Sequence, residues 1–369
     1  MRRWIFIVLL LAGWIGVAAK NAPKAANQES VLERVIHYPS VDQNGEALVL
    51  SGKLCVPTDK KPRGIILLPH YTITANKEAP SNKLTNEAAF YKRDFVLVMP
   101  DYLGYGLSGD RVHPYLCGEI MARNTVDMML YCRSILDSMS LGLSVDSIYI
   151  VGYSQGGASA LWTLKLLEEA YAGRIHVKQC FVGGAPVDVA NTYDEAVKSN
   201  FVPVPALIPM LVYGTIKGYG LDLKPEDILT RAMQKYYRKY ISTKQYGVME
   251  LFYKMPNHTT SHWLTTQAMD KSMPVGKRLY EGLLRSSMVH FDISGVSTDS
   301  ICPDWKPQTP TYVFHSINDN VVPFQSAEHL QRCLGNLQNI IWDFKKYGGH
   351  MHSAKIFHGK VYKRLMNED

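Results

Sequence analysis

Runs of β-branched and aliphatic residues recur along the chain and alternate with stretches of helical spacing. Residues 63–70, Arg63-Gly64-Ile65-Ile66-Leu67-Leu68-Pro69-His70, are apolar too continuously for a strand wet on one face, so they read as a buried strand. Residues 95–99, 148–151, 178–183, 311–315 and 340–344 follow the same grammar. Between or after them, 119–139, 158–167, 325–334 and 353–365 have the spacing of helices. Upstream, 31–37 and 47–56 read as two strands around an Asn44-Gly45 turn. Strands alternating with helices imply an α/β protein whose mostly parallel sheet is covered on both faces.

The alternation breaks after Asp188. Residues 191–300 hold helical stretches and prolines but no βα repeat, and read as a mostly helical cap inserted into a core formed by 30–190 and 301–369. Within them, 201–213 is conspicuously apolar and carries Pro203, Pro205 and Pro209. Such a run either packs as the insertion's own core or walls a pocket for an apolar acyl or aromatic group. Leu207, Met210 and Leu211 are the candidate pocket residues. At the start of the chain, Arg2 and Arg3 precede an apolar run over 4–11, and Val17-Ala18-Ala19 ends the segment with small residues. That is the layout of a signal peptide over 1–19, which implies export to a periplasmic or extracellular location. An uncleaved anchor is the rival, disfavoured by Gly13, Gly16 and the shortness of the run; no stable membrane anchor is expected after cleavage.

Composition narrows the classes. With 369 residues, 46% of them hydrophobic and 20% charged, the chain can bury a sizeable core. The formal net charge is +7, or +5 once Arg2 and Arg3 leave with the signal peptide, and no dense Lys/Arg block accompanies it. Nucleic acid is therefore not an expected partner. Six cysteines permit up to three disulfides of open pairing, with Cys180 read as a buried thiol. No Cys-x-x-Cys or Cys/His cluster suggests a metal.

The chemistry concentrates at Gly152-Tyr153-Ser154-Gln155-Gly156, set between a β-branched run and a helical one. Strand, tight turn and helix in that order make a nucleophile elbow, with Ser154 lifted clear and the Gln155 N–H facing a developing oxyanion. A base and an orienting acid should follow later strands. Asp319 follows the strand at 311–315, and His350 follows the final strand behind Gly348-Gly349. Asp188 is a rival acid and His352 a rival base. The second oxyanion donor should come from Pro69-His70-Tyr71-Thr72, through the N–H of Tyr71 or Thr72; His70 reads as a structural loop residue. The order Ser154, Asp319, His350 is that of an α/β-hydrolase fold.

Taken together, Pro100-Asp101-Tyr102-Leu103-Gly104-Tyr105-Gly106 with Ser108, His113-Pro114-Tyr115-Leu116, Gly152-Tyr153-Ser154-Gln155-Gly156-Gly157, and Asp319 with Val322-Pro323 resemble the secreted α/β-hydrolases of the secretory lipase/esterase group. The resemblance covers most of the core. It implies hydrolysis of small-molecule carboxylic esters under a helical cap, with Asp101 and His113 ordering loops. Catalysis through an acyl-enzyme needs neither metal nor organic cofactor. A peptidase of the same fold acting on short peptides, and a non-catalytic binding protein, are the alternative readings. Neither the natural ester nor the oligomeric state is written in these motifs.

Overall fold

Strands form where the apolar runs place them. In chain order they are β1 (Val31–Val41), β2 (Ala47–Pro57), β3 (Ile65–Leu67), β4 (Val96–Pro100), β5 (Ile148–Tyr153), β6 (Val177–Gly183), β7 (His290–Phe291), β8 (Ser300–Ile301), β9 (Thr311–Ser316) and β10 (Ile340–Lys345). The computed structural model describes residues 31–139, 141, 143, 148–291 and 300–367, so the expected signal peptide lies outside the described residues. Eight strands share one sheet in the order β1-β2-β4-β3-β5-β6-β9-β10, while β7 and β8 pair as a separate ribbon. β1 and β2 are an antiparallel hairpin in register from Val31↔Pro57 to Val41↔Ala47. Its loop is pinned by the Asp42 carboxylate, which accepts the Asn44 N–H, and by Gly45 at φ +81°. β2 runs antiparallel to β4, and every pair from β4 to β10 is parallel.

Alternation along each central strand feeds two cores. Ile65, Val96, Val98, Ile148, Ile150, Val182 and Val313 pack with residues of helices Gly118–Ser138, Gln155–Ala170 and Gln325–Leu334 on one face. Ile66, Leu97, Tyr149, Val151, Phe181 and Phe314 pack with Tyr91 and with Phe357, Val361 and Leu365 of helix His350–Met366 on the other. Double coverage explains why these runs lack a polar face.

Between β6 and β7 the chain is mostly helical: Val189–Lys198, Leu207–Tyr219, Arg231–Tyr236, Val248–Lys254, Pro274–Ser286 and shorter turns. These elements build their own apolar cluster around Ile228, Met233, Leu251, Trp263, Leu279 and Leu283, which reaches the sheet domain through Tyr115, Leu116 and Ala158. Val202, Ala206, Ile208 and Val212 belong to that cluster, so much of the apolar run is packing. Helix Leu207–Tyr219 lies directly on the 115–117 segment: a Cβ on Gly214 would sit 2.5 Å from the Tyr115 nitrogen, and one on Gly218 2.4 Å from Cys117 Sγ. The Lys244 ammonium donates to the carbonyls of Gly104, Gly109 and Arg111, tying the same layer to the loop after β4.

One disulfide, Cys302–Cys333, closes 31 residues of chain, a restriction of the unfolded state worth about 3–4 kcal/mol. Cys55, Cys117, Cys132 and Cys180 are buried free thiols. The last helix starts at His350, three residues before the expected 353, because a distant side chain caps it: Asn320 Oδ1 accepts the His350 N–H at 2.9 Å.

Candidate active site

Ser154 occupies φ 58°, ψ −125°, a strained conformation between the end of β5 and the start of helix Gln155–Ala170. The elbow closes only without side chains at its corners. A Cβ on Gly152 would stand 2.0 Å from the Gly156 carbonyl oxygen, and one on Gly156 2.1 Å from that of Pro69. Ser154 Oγ is 2.9 Å from His350 Nε2, and His350 Nδ1 is 2.7 Å from Asp319 Oδ2. The three side chains arrive from the ends of β5 and β9 and from the loop after β10, where sequence spacing placed them.

Each member is held from behind. Asp319 Oδ1 accepts the N–H groups of Val321 and Val322, both at 2.9 Å. Burial favours the neutral acid, but His350 and its hydrogen bond outweigh it and hold the carboxyl below the ordinary aspartate range. The Tyr153 hydroxyl donates to the His350 carbonyl at 2.8 Å and meets Ser353 Oγ at 2.9 Å. A second imidazole, His315, lies 3.8 Å from Asp319 Oδ2, but burial lowers its pKa and its Nε2–H donates to the Val322 carbonyl. Asp319 therefore keeps its carboxylate for His350. Such a chain can take a proton from a serine hydroxyl and stabilise the resulting imidazolium.

The close contact at Gly156 lays the Pro69-His70 backbone over the helix N-terminus, which brings the expected oxyanion loop to the elbow. Its two candidate donors differ. The Tyr71 N–H lies close enough to the buried Glu87 carboxyl to favour its charged form. The Thr72 N–H finds no acceptor among the described residues, and Thr72 Oγ1 is hydrogen-bonded to the Tyr115 hydroxyl at 2.9 Å. Glu87 is 5% exposed, and burial pushes it up to about 8 against the opposing N–H groups of Glu87 and Tyr71. A carboxyl with a raised folded pKa binds its proton more tightly when folded, so stability falls as pH rises from about 4 through 8. Glu87→Gln should therefore raise the thermal midpoint at pH 9 and leave it nearly unchanged at pH 4. A midpoint that responds equally at both pH values would show that Glu87 titrates normally.

The rival assignments have other occupations. Asp188, the rival acid, accepts from His290 Nδ1 at 3.0 Å, His329 Nδ1 at 2.6 Å and the Asn191 N–H at 2.9 Å. His352 is exposed, and His70 is buried with its pKa lowered by that burial. Asp101 accepts from Ser51 Oγ and the Ser81 N–H, ordering the loop after β4. Sequence reasoning passed over His290, His329, Asn320 and the Tyr153 hydroxyl, whose partners lie far along the chain. Only the polar group Asn318-Asp319-Asn320 behind a buried strand hinted at one of them.

Among the three candidate pocket residues, Met210 lines a cavity of about 120 Å³ together with Thr74, Tyr105, Tyr213, Tyr237 and His113. His113 stands between that space and Gln155, its Nε2 2.7 Å from Gln155 Nε2. Leu207 and Leu211 are half-buried and pack on the apolar cluster of the helical layer. Among the described residues, no three His, Cys, Asp or Glu side chains converge as metal ligands.

Sheet order, the elbow after the fifth strand and the flanking helices define an α/β-hydrolase fold. Solved structures carry the same fold: the rice cell wall degrading esterase LipA from Xanthomonas oryzae aligns at TM-score 0.73 and 21% identity over 92% of this chain and 90% of its own. Candida antarctica lipase A in its closed state aligns at 0.62 and 16% identity over 87% and 74%. The profile described as secretory lipase matches residues 84–360, and the chain belongs to that family. The secreted triacylglycerol lipase LIP3 of Malassezia globosa is 26% identical over 271 residues, 70% of this chain and 52% of that protein. This chain spans about half the length of that relative.

Proposed function

We propose that this chain is an exported serine hydrolase of carboxylic esters that works through an acyl-enzyme on Ser154. The observation that carries the reading is the unbroken hydrogen-bonded chain from Ser154 Oγ through His350 to Asp319. Ser154 attacks the ester carbonyl while His350 Nε2 takes its proton and passes it to the departing alkoxide. Asp319 fixes the imidazole tautomer and stabilises its charged form. Water activated by His350 then attacks the acyl-enzyme and releases the acid, and the Thr72 and Gln155 N–H groups hold the oxyanion in both steps. Residues 191–300 act as a cap on the core of 30–190 and 301–369. Met210, flanked by Leu207 and Leu211, borders the acyl or aromatic group of the substrate. A relative named as a secreted triacylglycerol lipase supports both export and a fatty ester substrate.

The test is turnover of p-nitrophenyl esters of graded acyl length beside aminoacyl amides of matched size. Ester cleavage abolished by a fluorophosphonate is expected; amide cleavage alone would make the chain a peptidase, and neither would leave a binding protein. Each methylene sheltered from water gains about 0.8 kcal/mol, so kcat/KM should climb about fourfold per methylene until the pocket fills. Met210→Gln should flatten that climb and spare acetate esters. A parallel loss on short and long esters, in a folded variant, would assign Met210 to cap packing alone.

A further inference from the structure

We propose that His113 and Tyr115 are positioning residues of the oxyanion hole, one segment gripping both of its backbone donors; this rests on the ester-hydrolase reading of the site. An oxyanion hole helps only if its donors are in place before charge develops. The elbow itself orients the Gln155 N–H, but Thr72 lies in a stretch without regular secondary structure and needs an external hold. The His113-Pro114-Tyr115 segment supplies a contact to each. Gln155 Nε2 lies 2.7 Å from His113 Nε2, and the Tyr115 hydroxyl is hydrogen-bonded to Thr72 Oγ1 at 2.9 Å.

The protonation pattern of His113 suits the task. Its Nδ1 is 2.7 Å from the Leu103 carbonyl, which can only accept, so Nδ1 carries the proton and Nε2 is left as acceptor for the Gln155 amide. Burial pushes His113 down to about 3, against the opposing pull of the Leu103 carbonyl, and the ring stays neutral. His113 is 5% exposed and Gln155 1%, so water does not compete for their bond, while Tyr115, also 5% exposed, brings its hydroxyl to a half-buried Thr72. Spacing within the segment is rigid as well. The Tyr115 N–H donates to the His113 carbonyl at 2.8 Å, a three-residue turn around Pro114, whose ring fixes φ. The two side chains therefore hold Gln155 and Thr72 at a set separation. Helix Leu207–Tyr219 bears on this turn through Gly214, so the hole is also braced by the helical layer above it.

Tyr115→Phe removes one oxygen and preserves the ring's packing, which makes it the primary test. Four quantities are measured on folded protein: kcat and KM for a p-nitrophenyl ester, the rate of fluorophosphonate labelling, and the inhibition constant of a trifluoromethyl ketone. The ketone adds Ser154 Oγ to its carbonyl, with the serine proton passing to His350, and so places an oxyanion in the hole. Tyr115→Phe should lower kcat about tenfold, weaken the ketone by a similar factor and leave KM within about twofold. Thr72→Val should do the same, and the double variant should be no worse than either single one. His113→Leu should show the same split, and His113→Gln, which restores an acceptor near the Nε2 position, should recover most of it. An active wild type whose Tyr115→Phe variant keeps full kcat and ketone affinity would overturn the positioning role alone, as would fully additive losses. A wild type inert to both ester and fluorophosphonate would overturn the esterase reading and this role with it.

Discussion

Ser154→Ala should reduce kcat on a p-nitrophenyl ester by about 10⁵–10⁶-fold and leave the thermal midpoint close to that of the wild type. The size follows from what the side chain does: it is the attacking group, and Oγ has its hydrogen bond to His350 Nε2. Stability should survive because the elbow is held by backbone. The Ser154 N–H donates to the Gly183 carbonyl at 2.8 Å, and the close approaches at Gly152 and Gly156 do not involve the serine side chain. Removing His350 as well should add little, because nucleophile and base act as one unit. What remains should still exceed water by about 10³-fold, through binding and the N–H groups of Thr72 and Gln155. Single-turnover kinetics with circular dichroism on Ser154→Ala and Ser154→Ala/His350→Ala check this. A folded Ser154→Ala that turns over normally would remove Ser154 from the mechanism.

Much of this site was legible because α/β topology converts chain order into place. Each parallel strand delivers its following loop to one edge of the sheet. The continuous apolar runs at 65–68, 148–151 and 311–315 located those edges, and the residues just beyond them were Tyr71 and Thr72, Ser154, and Asp319. The elbow was legible for a further reason: two glycines at fixed offsets from a serine signal backbone approaches that admit no Cβ, and Gly152 and Gly156 meet such approaches.

What stayed hidden depends on side chains meeting across the fold. The Tyr115 hydroxyl reaches Thr72 over 43 positions, Gln155 reaches His113 over 42, and Asn320 caps a helix 30 residues on. No periodicity encodes such pairs, since each is fixed by where two unrelated loops cross. The helical character of residues after Asp188 was legible, but not the individual helices: several are a single turn long, and their shared core runs through Trp263, Met233 and Leu251, which no one stripe encodes. Neither Tyr71 nor Thr72 stood out from sequence alone, because the surroundings that distinguish them, Glu87 beside the one and Tyr115 bonded to the other, have no signature in the sequence.

Asp319→Asn and Asp188→Asn should separate two buried carboxylates that follow neighbouring strands. Asp319→Asn is expected to lower kcat about 10⁴-fold at pH 7, through the tautomer of His350. The Val321 and Val322 N–H groups require an oxygen acceptor, so the asparagine carbonyl oxygen stays with them and its NH₂ turns to His350. Facing a donor, His350 Nδ1 must accept, which moves the ring proton to Nε2, where it blocks deprotonation of Ser154. Asp188→Asn meets the opposite situation. Asp188 takes the Nδ1–H of both His290 and His329, and an asparagine must set its NH₂ against one of them. The result should be a loss of about 2–4 kcal/mol of stability with kcat within a few-fold of wild type where the protein remains folded. The acid limb carries a second signature. Burial disfavours the Asp188 carboxylate, but its bonds from His290 and His329 prevail and depress its pKa. That depression stabilises the fold above the unfolded aspartate pKa of about 4 and is lost as pH falls through the folded value. Asp188→Asn should flatten the acid limb of the stability curve, whereas the activity of Asp319→Asn should be low at every pH where it folds. Thermal melts and kcat measured across pH 3–8 on both variants decide it: a folded Asp188→Asn with kcat reduced about 10⁴-fold, beside an active Asp319→Asn, would exchange the two roles.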